Sequence, residues 1–200
     1  MSSIVIAGNT SGAITIAAPA EAGLNTLTLP ASTGTVALTS DIPAPVTAVQ
    51  THLTTTSSQS ITANTRANIS GLNATITPST TSKRIKITIR WNGEHSNGVN
   101  YNQLFGIKRD TTDIGNPAAA GSRPVGMAII AVNYLNDATS TPDSATYTYI
   151  DSPATTSATT YHATFKQKTT GTLYNQRTVG DNNSTAFERL TSTIILEEID

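Results

Sequence analysis

The stretch "RIKITIRW", Arg84 to Trp91, decides the fold. Ile85, Ile87, Ile89 and Trp91 alternate with Lys86, Thr88 and Arg90. A period of two sends the four apolar side chains to one face of an extended chain and the polar ones to the other, so this is a strand with one buried face. The same pattern continues on both sides. "QSITANTRANISGLNATITP" (Gln59–Pro78) reads as two or three short strands, and "YNQLFGIKRD" (Tyr101–Asp110) as another. A Gly/Pro/Ala loop follows from Gly115 to Pro124. "SATYTYID", "TTYHATFKQK" and "GTLYN" come after it, and "STIILEEI" ends the series. About eight short strands with turn-rich connections and no helical periodicity predict a two-sheet β-sandwich over residues 46–200. "VGMAIIAVNYL" (Val125–Leu135) is nearly continuously apolar. Its Val and Ile content, between Pro124 and Asn133, favours a strand buried in the sandwich or at a subunit contact over a short helix.

Composition agrees with an all-β chain. Only 12% of the 200 residues are charged, and the remaining polarity is mostly Thr, Ser and Asn. Threonine is β-branched and suits a pleated, half-exposed surface. The net charge of −1 gives no electrostatic footprint for nucleic acid or an anionic membrane, so neither is expected as a partner. With no cysteine there is no disulfide and no thiolate chemistry. The start "MSSIVIAGNTSG" has no basic segment before an apolar run, and no later stretch has the length of a membrane helix. The expectation is a soluble protein that is not secreted through a signal peptide.

Residues 1–45 differ from the rest. "SIVIAG", "AITIAA", "NTLTLP" and "GTVALT" are short alternations closed by Gly, Pro or Ser-Thr. Their apolar positions, among them Ile14, Ile16, Leu27, Leu29, Val36 and Leu38, are too few to form a core of their own. This arm is expected to be completed by something else, and these six residues are the expected attachment face. "SDIPAPVTAVQ" (Ser40–Gln50), with two prolines, reads as a stiff connector between arm and sandwich.

Little here points to catalysis. The chain has no phosphate-cradling glycine loop, no nucleophile elbow and no paired histidines at metal-binding spacing. His52 opens a Thr/Ser-rich stretch, His162 is expected at solvent or a subunit contact, and His95 is expected in a turn beside Glu94. All three read as structural or surface groups. Glu197 and Glu198 are adjacent on a strand and point to opposite faces, so they are no acid/base pair. The loop "GDNNST" (Gly180–Thr185) is rich in oxygen donors that could hold Ca²⁺, but it reads more simply as a solvated turn. No enzyme activity, cofactor or metal is expected.

"AGNTSGAITIAAPAEAGLNTLTLPASTGTVALTSDIP" resembles a module of tailed-bacteriophage tail fibres and head decoration proteins. The module's motif elements fall on Gly8–Ile16, Asn25–Pro30 and Thr33–Val36. "YIDSPATTSATTYHATF" (Tyr149–Phe165) and "RLTSTIILEEI" (Arg189–Ile199) resemble the late strands of a TNF-like, jelly-roll trimeric domain. The resemblance implies a homotrimer whose interface and core include Trp91, Ile129, Ile130, Tyr161 and Phe165. It implies a capsid decoration (cement) protein on the outer surface of the virion, made in the host bacterial cytoplasm and partnered by the major capsid protein. The alternative is a tail-fibre tip that contacts tail proteins and a host-surface glycan or receptor. A carbohydrate-binding sandwich is a lesser alternative, kept open by Tyr101, Tyr134 and Tyr174.

Overall fold

The computed structural model of the protein describes residues 3–7, 13–17, 47–96, 103–119, 121–130 and 139–200, the first two stretches by backbone alone. The chain divides into two compact units, Met1–Ala44 and Pro45–Asp200. In the first, β1 (Ser3–Ala7) and β2 (Ala13–Ala17) pair antiparallel, with Ile4 opposite Ile16 and Ile6 opposite Ile14. Leu27, Leu29, Val36 and Leu38 lie outside the described residues.

The second unit runs β3 (Ala48–Leu53), β4 (Ser57–Ile61), β5 (Ala67–Ile76), β6 (Arg84–His95), β7 (Leu104–Arg109), β8 (Thr112–Ile114), β9 (Ala128–Ile129), β10 (Asp143–Asp151), β11 (Thr159–Lys166), β12 (Gly171–Asn175) and β13 (Ser192–Ile199). None of the described residues is helical, and every pairing is antiparallel. The protein is therefore all-β, as its alternation and threonine content predict. One sheet has the order β3-β13-β6-β12-β4, with β10 on the other edge of β6, and the second has the order β5-β11-β7-β8, with β9 also on β7. Five of the pairings nest: β3 with β13, β4 with β12, β5 with β11, β6 with β10, and β7 with β8.

Strand β6 is the spine of the larger sheet. Its Ile85, Ile87, Ile89 and Trp91 are all fully buried and face the second sheet. The two layers meet where the Trp91 and Phe105 rings lie 5.0 Å apart, and within the second sheet Phe105 meets its ladder neighbour Phe165 edge-on at 5.1 Å. The indole N–H of Trp91 would be costly to bury unpaired, and it donates to Asn175 Oδ1 at 2.8 Å.

Strand β5 solves a phase problem. Ile69 and Leu72 are both buried although three residues apart, a spacing that strict alternation forbids. The pairing with β11 breaks between Asn68 and Asn73, where Gly71 adopts φ +75°. This bulge returns Leu72, Ala74 and Ile76 to the core face. The Gln59 side chain reaches the bulge: its Nε2 donates to Asn68 O at 2.9 Å and its Oε1 accepts from Ser70 N at 2.7 Å.

Several expectations need correction. The end of the connector read over Ser40–Gln50 is strand, since Ala48, Val49 and Gln50 belong to β3 and pair with β13. "QSITANTRANISGLNATITP", by contrast, holds two strands, β4 and β5, within the two or three expected. His95 is not in a turn: it ends β6 and is fully buried. Among the described residues of "VGMAIIAVNYL", Ala128 and Ile129 form a ladder along Phe105 and Leu104 of β7, and residues 131–138 lie outside the described residues. Ile129 is 71% exposed, so it is not a core residue of the chain. A continuous apolar run carries no alternation to say which side chain turns inward, and here Ile130 does.

Candidate functional site

The polar chemistry of the sandwich gathers at one end, where β6 passes from β13 to β12. Gly93 makes the crossing possible. A Cβ there would lie 2.1 Å from Tyr174 O and 2.7 Å from the Trp91 ring. The next two residues of β6 place a buried carboxylate and a buried imidazole. Glu94 Oε2 accepts from Val179 N at 2.6 Å, and His95 stacks on Phe165 with centroids 5.8 Å apart. Gly171 leaves room for that imidazole, since a Cβ would meet it at 2.4 Å. Desolvation lowers the His95 pKa to about 4, so the ring is neutral at ordinary pH. Across the ladder from Gly93, Asp143 opens β10 with only 4% of its surface exposed. Burial, with the Glu94 carboxylate adding to it, raises its pKa to about 7. Sequence reading missed this pairing because the two carboxylates are far apart in the chain and only the β6–β10 register brings them together.

From here the chain folds back as a framed loop between β12 and β13. Gln176, at φ +62°, receives Leu190 N on its carbonyl at 2.9 Å and donates its own N–H to Asn92 O at 3.0 Å. Its side chain donates to Ser192 Oγ at 2.8 Å. Further out, Asp181 accepts from Arg177 at 3.0 Å and also pairs with Arg189, so two guanidinium groups hold the one carboxylate of "GDNNST". A Ca²⁺ ion would have to displace both. Among the described residues, no group of three or more His, Asp or Glu side chains is placed to hold a metal ion. The loop borders a cleft of about 320 Å³ lined by Asp181, Asn182, Asn183, Ser184, Phe187 and Arg189. A second depression, about 390 Å³, lies on the outer face of the larger sheet among Gln50, Thr88, Arg90, Thr146, Thr193 and Ile195.

The residues singled out from the sequence do not converge on one place. Trp91, Tyr161 and Phe165 are fully buried, and Ile130 nearly so. The Tyr161 hydroxyl donates to Asp151 Oδ2 at 2.7 Å, and Arg109 donates to both Asp151 oxygens at 2.9 and 3.1 Å. Burial and the Asp151 hydrogen bond raise the phenol's pKa, so this network acts as a structural clamp. His52 shares a 2.9 Å hydrogen bond with Thr193 Oγ1 on the outer face. His162 is half-buried on β11, with its pKa lowered by burial. Glu197 pairs with Lys86 at 2.7 Å, while both Glu198 oxygens accept from Ser79 at 2.6 Å, which holds that carboxyl below its ordinary range. Of the three tyrosines, Tyr174 is covered by Arg177 at 4.5 Å from its ring centroid, whereas Tyr101 and Tyr134 lie outside the described residues. Ile14 and Ile16 lie in β2, described by its backbone.

No protein-family model matches the sequence, and no curated protein matches it.

Proposed function

We propose that this protein is a non-enzymatic structural component of a tailed-phage virion, a homotrimer that decorates the head shell. The first unit attaches it to the major capsid protein, and the sandwich forms the trimeric knob. The observation that carries this reading is the sequence of the first unit, where three motif elements of the phage module stand in order within Gly8–Val36. The nested pairing of β3 with β13, β4 with β12, β5 with β11, β6 with β10 and β7 with β8 supports the other half. That winding belongs to jelly rolls, in which the first strand closes on the last. Trimers of such sandwiches match the threefold positions of an icosahedral shell.

Two measurements test the reading. Light scattering should give three times the chain mass at micromolar concentration, and a stable monomer overturns the trimer. The purified protein should rebind phage heads stripped of surface proteins, and it should lose that binding when Ile14, Ile16, Leu27 and Leu29 are all changed to Ser. Binding to isolated tails and not to heads would instead favour the tail-fibre assignment. Undiminished head binding by the Ser variant would place the attachment surface on the sandwich.

A further inference from the structure

The loop between β12 and β13 is more firmly built than a connection needs. Thr178 Oγ1 donates to Gly180 O at 2.8 Å, and Gly180 N donates to Thr139 O at 2.7 Å. Gly180 lies so close beneath the Phe187 ring that a Cβ would come within 2.2 Å of it. Ser184 N donates to Asn182 O at 2.8 Å, and Phe187 N to Ser184 O at 3.3 Å. Arg177 and Arg189 form an isolated β-bridge at the base and meet again at Asp181. Main-chain bonds, a ring on a glycine and a doubly bridged carboxylate hold the frame rigid. Two of its outward side chains are left uncommitted. Asn182 and Asn183 are exposed, and neither amide group makes a hydrogen bond among the described residues.

These features combine in the 320 Å³ cleft, where a half-buried Phe187 provides an apolar wall beside two free amides, a hydroxyl and a guanidinium. An apolar wall with a few convergent polar groups, fixed in advance, is the general form of a small-molecule site. Local charge narrows the ligand. Arg177 and Arg189 balance Asp181 and Glu188, so the loop offers no net charge to an ion. Side-chain amides both donate and accept, which suits a ligand carrying many hydroxyls. We propose that this cleft binds a neutral hexose unit of a glycan, its C–H face against Phe187 and its hydroxyls on Asn182 and Asn183. The assignment is independent of the virion reading and stands or falls by itself.

The test uses the full chain and four probes: the methyl glycosides of glucose, galactose, mannose and N-acetylglucosamine. Saturation-transfer NMR should show contact with at least one of them at millimolar concentration. Titration should then show affinity falling about tenfold or more in the double variant Asn182→Ala/Asn183→Ala, which removes two hydrogen-bonding amides without touching the frame. The melting temperature of that variant should match the wild type, because neither side chain supports the fold. Absence of transfer from all four glycosides overturns the proposal. So does equal binding by the double variant, which would place the sugar elsewhere. Tighter binding of an uncharged peptide such as N-acetyl-triglycine amide would overturn it in favour of a protein partner.

Discussion

Trp91 packs its ring against Phe105 of the second sheet and ties its N–H to Asn175 of β12 within its own sheet. Changing Trp91 to Ala should cost about 3–5 kcal/mol in urea unfolding, from lost burial and the cavity left behind. Asn175→Ala should cost about 1–3 kcal/mol, because it leaves the buried indole N–H without its acceptor. The pair His95 and Asp143 predicts a more unusual result. Asp143, raised from 3.8 to about 7, keeps a proton in the folded state that the unfolded chain releases, so its contribution is lost as pH rises from about 4 to 7. His95, lowered from 6.5 to about 4, refuses a proton that the unfolded chain takes up, so its contribution is lost as pH falls from 6.5 towards 4. Between about pH 4 and 6.5 folded and unfolded chains each hold one proton on this pair, and the two slopes cancel. Asp143→Asn should uncover the His95 slope, with stability relative to wild type falling by up to about 1.4 kcal/mol per pH unit on acidification. His95→Gln should uncover the opposite slope. Parallel stability–pH curves for the wild type and both variants would show that neither group is shifted.

The bulge in β5 depends on one backbone conformation and one borrowed side chain. Gly71→Val, forcing a β-branched residue into φ +75°, should destabilise by about 1–3 kcal/mol. Gln59→Ala should cost about 1 kcal/mol by stripping Asn68 O and Ser70 N of their partner. The exposed Ser60→Ala on the same strand should stay within about 0.5 kcal/mol. At this scale the limits of the sequence also become clear. Strand β6 was legible because Ile85 to Trp91 keep strict alternation, and β13 because "TIIL" is rich in β-branched residues. The β5 bulge was not, since Ile69 and Leu72 fall out of phase and only a partner strand reveals the inserted residue. Which of Ile129 and Ile130 turns into the core was not legible, because an apolar run has no phase. The Glu94–Asp143 neighbourhood was invisible for a different reason: register between distant strands is a property of the whole sheet. Nor did "GDNNST" show that its carboxylate would be taken by Arg177 and Arg189, one before it and one after.

Across the whole molecule, Pro45–Asp200 contains all the core contacts described between the two sheets, and a fragment of residues 46–200 should unfold cooperatively by itself. Aggregation of that fragment, with no thermal transition, would show that the first unit completes the core. The place of β13 has a further consequence, in the time domain. It lies between β3 and β6, and the bond from His52 to Thr193 spans 141 residues. Closure over such a distance makes folding slow, because the entropy of a long loop is lost before any ladder forms. During synthesis β3 and β6 emerge early and present open edges that template pairing with other chains. Those edges stay open until residue 199 has cleared the ribosome. A ribosome stalled after β12 would leave both edges open, and one that completes β13 closes both in a single step.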